Sequence, residues 1–170
     1  MKQSLISGGC FCGAVRYEAG GSPYNITHCH CPDCRRSSGA PFVTWASFRR
    51  SGVRFVRGAP RELSRAGRLR SFCPRCGTPL SFMSGTDADE IDVTVCSFDH
   101  PEIVTPVDHT WYEDRMPWIC LADDLPKHKR KRERRADSLW KRMTDVRART
   151  VPNRRPSRPE NRRRQNRRLS

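Results

Sequence analysis

The chain has 170 residues and a formal net charge of +15, and 35% of its residues are hydrophobic. This length has room for one ordinary domain with a buried core and an appendage, and it excludes two full domains. Residues 1–126 hold 14 Lys and Arg against 14 Asp and Glu, whereas residues 127–170 hold 19 against 4. The whole net charge therefore belongs to the C-terminal segment. We predict a domain at 1–126 and a basic, mostly disordered tail at 127–170, with Pro126 as the boundary.

The cysteine count and the hydropathy pattern bear on the compartment. No window approaches the roughly 20 apolar residues that cross a bilayer, and the first residues lack the apolar run of a signal peptide. We therefore expect a soluble, cytoplasmic protein without membrane contact. In a reducing compartment, nine cysteines favour metal binding over disulfides. A secreted disulfide scaffold is the alternative, and the odd number of cysteines opposes it.

Short β-type runs alternate with turn signals along the first 126 residues. In chain order they are Ala14 to Glu18, Asn25 to His28, Phe42 to Phe48, Val53 to Val56, Leu69 to Phe72, Leu80 to Met83 and Ile91 to Phe98. No helix is predicted among them. The pattern indicates an all-β domain of short, bent antiparallel strands. In the tail, Leu139, Met143 and Val146 have helical spacing, so the tail is expected to be disordered or partly helical.

Seven cysteines form the strongest signal in the sequence. They read as CxC, CxCxxC and CPRCG, and they are Cys10, Cys12, Cys29, Cys31, Cys34, Cys73 and Cys76. Cys29, Cys31 and Cys34 lie within six residues, so their short tethers can place all three sulfurs on one metal ion. Cys10 and Cys12 would then pair with Cys73 and Cys76 in a closed four-thiolate zinc site. Cys96 and Cys120 are isolated among apolar neighbours and are predicted to be buried, inert thiols.

The two predicted zinc ions, two per chain, would have different roles. A four-thiolate zinc is coordinatively complete and structural, and it contributes folding free energy on the order of 10 kcal/mol. A three-cysteine zinc keeps one position open for water or substrate, as catalytic sites do. The alternative is that His28, His30 or His109 supplies a fourth ligand and makes the second zinc structural as well.

The segments that carry the cysteines resemble a known family. GGCFCGAVRYEA, THCHCPDCRRSSGAPFVTW, RSFCPRCGTPLSF and VCSFDHPEIVTPVDHTWYEDRMPW are similar to the glutathione-dependent formaldehyde-activating enzymes, also called the centromere-protein-V domain family. The resemblance implies a zinc-stabilised β-tent with the same division of the seven cysteines. It also implies a carbon–sulfur lyase that joins glutathione, or a similar thiol, to formaldehyde or another small aldehyde, or reverses that step.

The chemistry of a three-cysteine zinc favours thiol activation, because three thiolates leave the ion with a formal charge of −1 and make it a poor Lewis acid for a carbonyl. Cys29, Cys31 and Cys34 are therefore the candidate catalytic residues. Arg35 and Arg36 could hold a carboxylate of the tripeptide, although solvent-facing loop arginines are the alternative. His30 and His109 could contact substrate or relay protons.

The basic tail predicts a second property. Its Lys and Arg side chains could bind nucleic acid non-specifically, since each neutralised phosphate releases counterions. A non-catalytic zinc module that associates with nucleic acid through the tail is therefore the alternative to an enzyme. A tail without function is the simpler alternative for this segment. The oligomeric state is left open by the sequence.

Overall fold

The computed structural model describes residues 5–85 and 89–132, which form ten strands, one α-helix and four short 3-10 turns. The strands are β1 (Leu5–Gly9), β2 (Arg16–Gly20), β3 (Tyr24–Cys29), β4 (Val43–Arg49), β5 (Val53–Arg57), β6 (Arg61–Arg65), β7 (Arg68–Phe72), β8 (Pro79–Ser84), β9 (Glu90–Thr94) and β10 (Asp108–Thr110). The helix is α1 (Pro32–Ser38), and the 3-10 turns are Arg50–Gly52, Val95–Ser97, Pro101–Ile103 and Tyr112–Asp114. The prediction of a mostly β domain is confirmed.

The strands form two sheets. One has three strands in the order β1-β2-β5, and the other has seven in the order β10-β3-β4-β9-β8-β7-β6. Neighbouring described strands are antiparallel, as predicted, except that β10 runs parallel to β3. The parallel pair arises because the chain leaves β9, passes through two 3-10 turns and returns along the outer edge of β3.

Each of the seven predicted runs overlaps a strand, but β1, β6 and β10 have no counterpart in the prediction. All five residues of β6 are exposed, so its sequence shows no alternation of polar and apolar side chains. β10 has only three residues and is recognised by its pairing alone. The strand predicted from Ile91 to Phe98 ends at Thr94 in the structure, and a 3-10 turn follows it.

The prediction that residues 1–126 contain no helix is wrong, because α1 follows directly on β3. The sulfur of Cys31 caps the N-terminus by accepting a hydrogen bond from the backbone N–H of Cys34 at 3.3 Å. Pro32 occupies the first helical turn, and the N–H of Gly39 closes the last turn on the carbonyl of Arg35. Seven residues carry too little periodicity to be recognised, and cysteine is not among the usual capping residues.

The core consists of two clusters, and β4 contributes to both. Ala46 and Phe48 lie in the larger cluster between the two sheets, with the fully buried Tyr17 and Leu80. Val43 and Trp45 point to the opposite face of β4 and form a second cluster with Cys29 and Cys34. The partly buried rings of Phe82 and Trp111 pack against this second cluster. The fold thus places two of the predicted metal ligands, Cys29 and Cys34, in an apolar environment.

Residues 126–132, here called the C-terminal strap, run alongside the 109–113 segment. The N–H of His109 donates to the carbonyl of Pro126 at 2.8 Å, and the N–H of Trp111 donates to the carbonyl of Arg130 at 2.8 Å. Arg132 Nε donates to Oδ2 of the buried Asp108 at 2.5 Å, and His128 lies 3.2 Å from the same oxygen.

Contacts with the domain therefore continue past the predicted boundary at Pro126, and residues 127–132 share one compact unit with the domain. Residues 133–170, with the predicted helical segment, lie outside the described residues. The disorder of the tail stays a prediction. Within the described ranges, the model contains no helix of the length and apolar character that a membrane crossing requires.

Replacing Arg132 with Met in the full chain is expected to lower the free energy of unfolding by about 3 kcal/mol, because it removes the principal partner of a buried carboxylate. Lys131→Met is the matched control, since Lys131 is exposed and immediately adjacent. Urea unfolding at pH 7 in the presence of reductant measures both. Equal midpoints for the two variants would show that the strap does not stabilise the domain.

Candidate metal centre

The first cluster joins two distant parts of the chain. Cys10 and Cys12 follow β1, and Cys73 and Cys76 lie between β7 and β8. Their four sulfur atoms all lie within 4.8 Å of one another. The Sγ atoms of Cys10 and Cys12 are 3.6 Å apart, and those of Cys12 and Cys73 are 3.8 Å apart. Since zinc–sulfur bonds of 2.3 Å in a tetrahedron separate the sulfurs by about 3.8 Å, the cluster fits a four-thiolate ion.

Local backbone geometry preorganises this cluster. Gly13 and Gly77 adopt positive φ angles of 72° and 75°, which close one tight turn after each cysteine pair. The N–H of Gly13 donates to the carbonyl of Cys10, and the N–H of Gly77 donates to the carbonyl of Cys73. The hydroxyl of Thr78 lies 3.2 Å from the sulfur of Cys76, and its hydrogen bond lowers the pKa of Cys76 to about 5. The turn after Cys76 therefore favours the thiolate of that residue, the form that a metal ion requires.

The second cluster consists of Cys29, Cys31 and Cys34, whose sulfurs also lie within 4.8 Å of one another. Cys29 ends β3, Cys31 caps α1, and Cys34 lies in the first turn of that helix. The strand-to-helix turn thus brings the three sulfurs together by local chain geometry, as the sequence predicts. Cys29 and Cys34 are buried, and Cys31 is half-buried.

Negative charge in this cluster is concentrated on Cys34. Hydrogen bonds from Cys29 and Cys31, supplemented by Arg70 and Trp45, outweigh burial and lower the pKa of Cys34 to about 3. The same interactions raise the pKa of Cys29, which donates to its neighbours. Arg70 Nη2 lies 3.7 Å from the sulfur of Cys34. A divalent cation would allow all three thiols to ionise, and a set of three cysteine sulfurs suits zinc.

The candidate fourth ligands do not join the second cluster. Among the described residues, no histidine or carboxylate lies within 4.8 Å of all three sulfurs. His28 Nδ1 is 2.9 Å from the hydroxyl of Thr44, and His30 Nε2 is 2.9 Å from His109 Nδ1. The alternative of a Cys₃His site built with one of these histidines therefore has no support in this geometry.

His30 and His109 instead form a hydrogen-bonded chain with Asp123. His109 Nε2 donates to the carboxylate of Asp123 at 3.0 Å, so a neutral His109 accepts at Nδ1 and His30 donates from Nε2. Both histidines are buried, and burial, followed by the proximity of His109, lowers the pKa of His30 to about 4. These hydrogen bonds fix the side chain of His30, the residue between Cys29 and Cys31.

The two predicted substrate arginines differ in their surroundings. Arg35 Nη1 donates to the carbonyl of Asp114 at 3.0 Å, which attaches α1 to the last 3-10 turn. Arg36 is exposed on the same helix, two residues after Cys34. A role in substrate binding for Arg35, Arg36, His30 and His109 stays a prediction.

The prediction that Cys96 and Cys120 are buried is wrong, because both are exposed. Cys96 lies in a 3-10 turn in which Val95 and Phe98 face the core, and Cys120 lies in an irregular segment after the last 3-10 turn. A residue with apolar neighbours in the sequence can still be exposed, because a turn of the backbone directs adjacent side chains to different sides.

Three residues around the second cluster and its neighbouring histidines were not predicted from the sequence. Arg70 lies on β7, Trp45 on β4 and Asp123 in the segment before the strap. Arg70 could have been noticed, because it precedes Cys73 by three residues in RSFCPRCG. Trp45 and Asp123 give no comparable signal, since pairing of distant segments brings them to the site.

Replacement of single cysteines should distinguish the contributions of the two clusters to zinc content and stability. We expect two zinc ions per chain in the wild type, one in a folded Cys31→Ala variant, and loss of the cooperative fold in Cys73→Ala, because the first cluster cross-links β1 to β7. Cys96→Ala is the matched control and should keep both ions. Elemental analysis of reductively purified protein and thermal unfolding check these outcomes. One zinc ion in both the wild type and Cys31→Ala would contradict the second site.

Similarity to a known family spans all seven clustered cysteines. The family model of the glutathione-dependent formaldehyde-activating enzyme matches residues 5–114. An uncharacterized lyase of Schizosaccharomyces pombe is 26% identical in an alignment of 110 residues that covers 56% of this chain and 80% of that protein. A crystal structure of a Rhodobacter sphaeroides protein aligns with a TM-score of 0.49 at 27% identity, covering 59% of this chain and 91% of the other. The chain belongs to the glutathione-dependent formaldehyde-activating enzyme family.

Proposed function

We propose that the protein is a zinc-dependent carbon–sulfur lyase that acts on adducts of glutathione, or a similar small thiol, with formaldehyde or another small aldehyde. The observation that carries this proposal is the three-cysteine cluster, to which the described residues add no fourth ligand. The family and the name of the yeast relative favour the same reaction class. In this proposal Cys10, Cys12, Cys73 and Cys76 hold a structural zinc ion.

In the direction of synthesis, the thiol sulfur forms a bond to the aldehyde carbon, the carbonyl π-bond breaks, and the thiol proton passes to the carbonyl oxygen. The product is a hydroxymethyl thioether, so the reaction needs no oxidant and no leaving group. A zinc ion held by Cys29, Cys31 and Cys34 would supply the Lewis acidity that ionises the thiol at neutral pH.

The chain's own residues supply the surroundings of the reaction. The buried ring of Trp45 and the partly buried rings of Phe82 and Trp111 pack against the cluster, and fewer water molecules on that side strengthen electrostatic interactions there. We propose that Arg36, which is exposed two residues after Cys34 on α1, holds a carboxylate of the thiol substrate, with Arg35 fixing the helix. The His30–His109–Asp123 chain leads from the cysteine turn to a carboxylate with 27% of its side chain exposed, which supports the proposed proton relay.

The lyase proposal predicts faster interconversion of free and adducted thiol. Because the uncatalysed reaction is itself rapid, exchange NMR of glutathione with formaldehyde at equilibrium is the suitable measurement. We expect the zinc-loaded wild type and the Cys96→Ala control to accelerate exchange, and Cys31→Ala to return it to the uncatalysed rate. A folded Cys31→Ala variant with wild-type acceleration would rule out the three-cysteine centre as the active site. No acceleration in the wild type would favour the non-catalytic zinc module.

Nucleic-acid binding through residues 127–170 is a second candidate function, and the excess of 19 basic over 4 acidic residues in this segment is the observation that favours it. Two basic residues of this segment already form ion pairs within the domain, Arg130 with Glu113 and Arg132 with Asp108. Most of the Lys and Arg residues that could bind phosphate therefore lie in residues 133–170.

Deleting residues 133–170 is expected to abolish binding to random-sequence duplex DNA in low salt, while the strap and the domain are kept. Fluorescence anisotropy over a series of salt concentrations measures this, and the wild-type affinity should fall steeply with salt. Undiminished binding by the shortened chain would place the interaction elsewhere. No binding by the wild type would remove this candidate function.

A further inference from the structure

We propose that Arg70 is a positioning residue that offsets the negative charge of the three-cysteine centre and thereby sets its affinity for an anionic ligand. This inference rests on the proposed role of that centre as an open metal site that takes a thiol. The CxCxxC motif does not identify Arg70 as a neighbour of Cys34, because Arg70 belongs to another strand and lies 36 residues from Cys34 along the chain.

Strand register brings Arg70 to the correct face of the large sheet. Arg70 pairs with Phe82 across β7 and β8, and Phe82 pairs with Asp92 on β9. Asp92 in turn pairs with Ser47 on β4, two residues from Trp45. Paired residues point to the same side of a sheet, so Arg70, Phe82 and Trp45 share the face that packs against α1.

The guanidinium of Arg70 is held in place by two contacts. Its Nη2 lies 3.7 Å from the sulfur of Cys34, and its central carbon lies 4.8 Å from the centre of the Phe82 ring. The Phe82 ring packs at 6.1 Å against the ring of Trp45, which is 5% exposed. A cation stacked on an aromatic ring keeps its orientation, so the charge of Arg70 is fixed beside the sulfur.

The charge balance of the centre explains why a cation is needed there. Three thiolates and a divalent ion sum to −1, and an anionic fourth ligand would raise this to −2 in a half-buried environment. Like charges at short distance cost free energy, and burial increases the cost. With the +1 charge of Arg70 included, the summed formal charge of the ligand-bound centre is again −1. Its role is therefore specific to the charge of the incoming ligand, whereas simple packing would affect ligands of any charge.

The test uses the full chain with cobalt in place of zinc, because the absorption bands of cobalt report a change of ligand at the three-cysteine centre. Two probes are titrated separately at pH 8: 2-mercaptoethanol, which binds as an anion and carries no carboxylate, and imidazole, which is neutral. Arg70→Met is expected to weaken binding of the thiol about tenfold and to leave imidazole binding unchanged. Arg70→Lys should restore most of the thiol affinity.

Arg68→Met is the matched control. Arg68 lies two residues earlier on the same strand and pairs with Asp33 of α1, so its removal loosens the same strand–helix contact without touching a sulfur. This variant should bind both probes as the wild type does. Metal content and near-ultraviolet circular dichroism verify that each variant is loaded and folded.

Each outcome decides the inference. Equal loss of both probes in Arg70→Met would show a packing role, and unchanged thiol binding would show no role; either result overturns the proposal. A wild-type centre that takes no thiol also overturns it, because Arg70 would then have no anion to balance. Selective loss of thiol binding without acceleration in the exchange assay would remove the proposed lyase activity and leave the role of Arg70 standing.

Discussion

The four-cysteine cluster is the constraint on which the rest of the fold depends. It ties the loop after β1 to the turn between β7 and β8, and so it links the small sheet to the large one. A domain of this size, with ten strands of three to seven residues, has few long elements to hold it together. A metal ion held by the four sulfurs would add free energy to the packing of these short strands. The two positive-φ glycines show that the backbone is shaped for this link.

The second cluster has a different relation to the fold, because its three cysteines are neighbours along the chain and need no distant partner to come together. What the fold adds is an environment. β4 and β8 provide Trp45 and Phe82, and β7 provides Arg70 beside a buried sulfur. The combination of apolar surroundings with one fixed cation is suited to a site that must accept an anion from water. The domain thus keeps a cluster of four sulfurs apart from one of three, to which the described residues add no fourth ligand.

The C-terminal strap shows how charge and backbone geometry act together. Trp111 adopts a left-handed conformation with φ of 55°, which is strained for an aromatic residue. Its N–H donates to the strap, and the Arg130 guanidinium lies 5.0 Å from the centre of its ring. The strap therefore stabilises a residue that packs against the second cluster. Part of a basic run that reads as a tail in the sequence is in this way a component of the domain.

The sequence by itself determined the β class, the seven clustered cysteines, their division into two clusters and the family, because thiol spacing and short alternating runs are local signals. It did not reveal α1, whose cap is a cysteine sulfur, or β6, whose residues are all exposed. Only the tertiary structure decided that His30 and His109 pair with each other, that Cys96 is exposed and that Arg70 reaches Cys34. Those outcomes depend on strand register and on contacts between residues far apart in the chain, which no local pattern encodes.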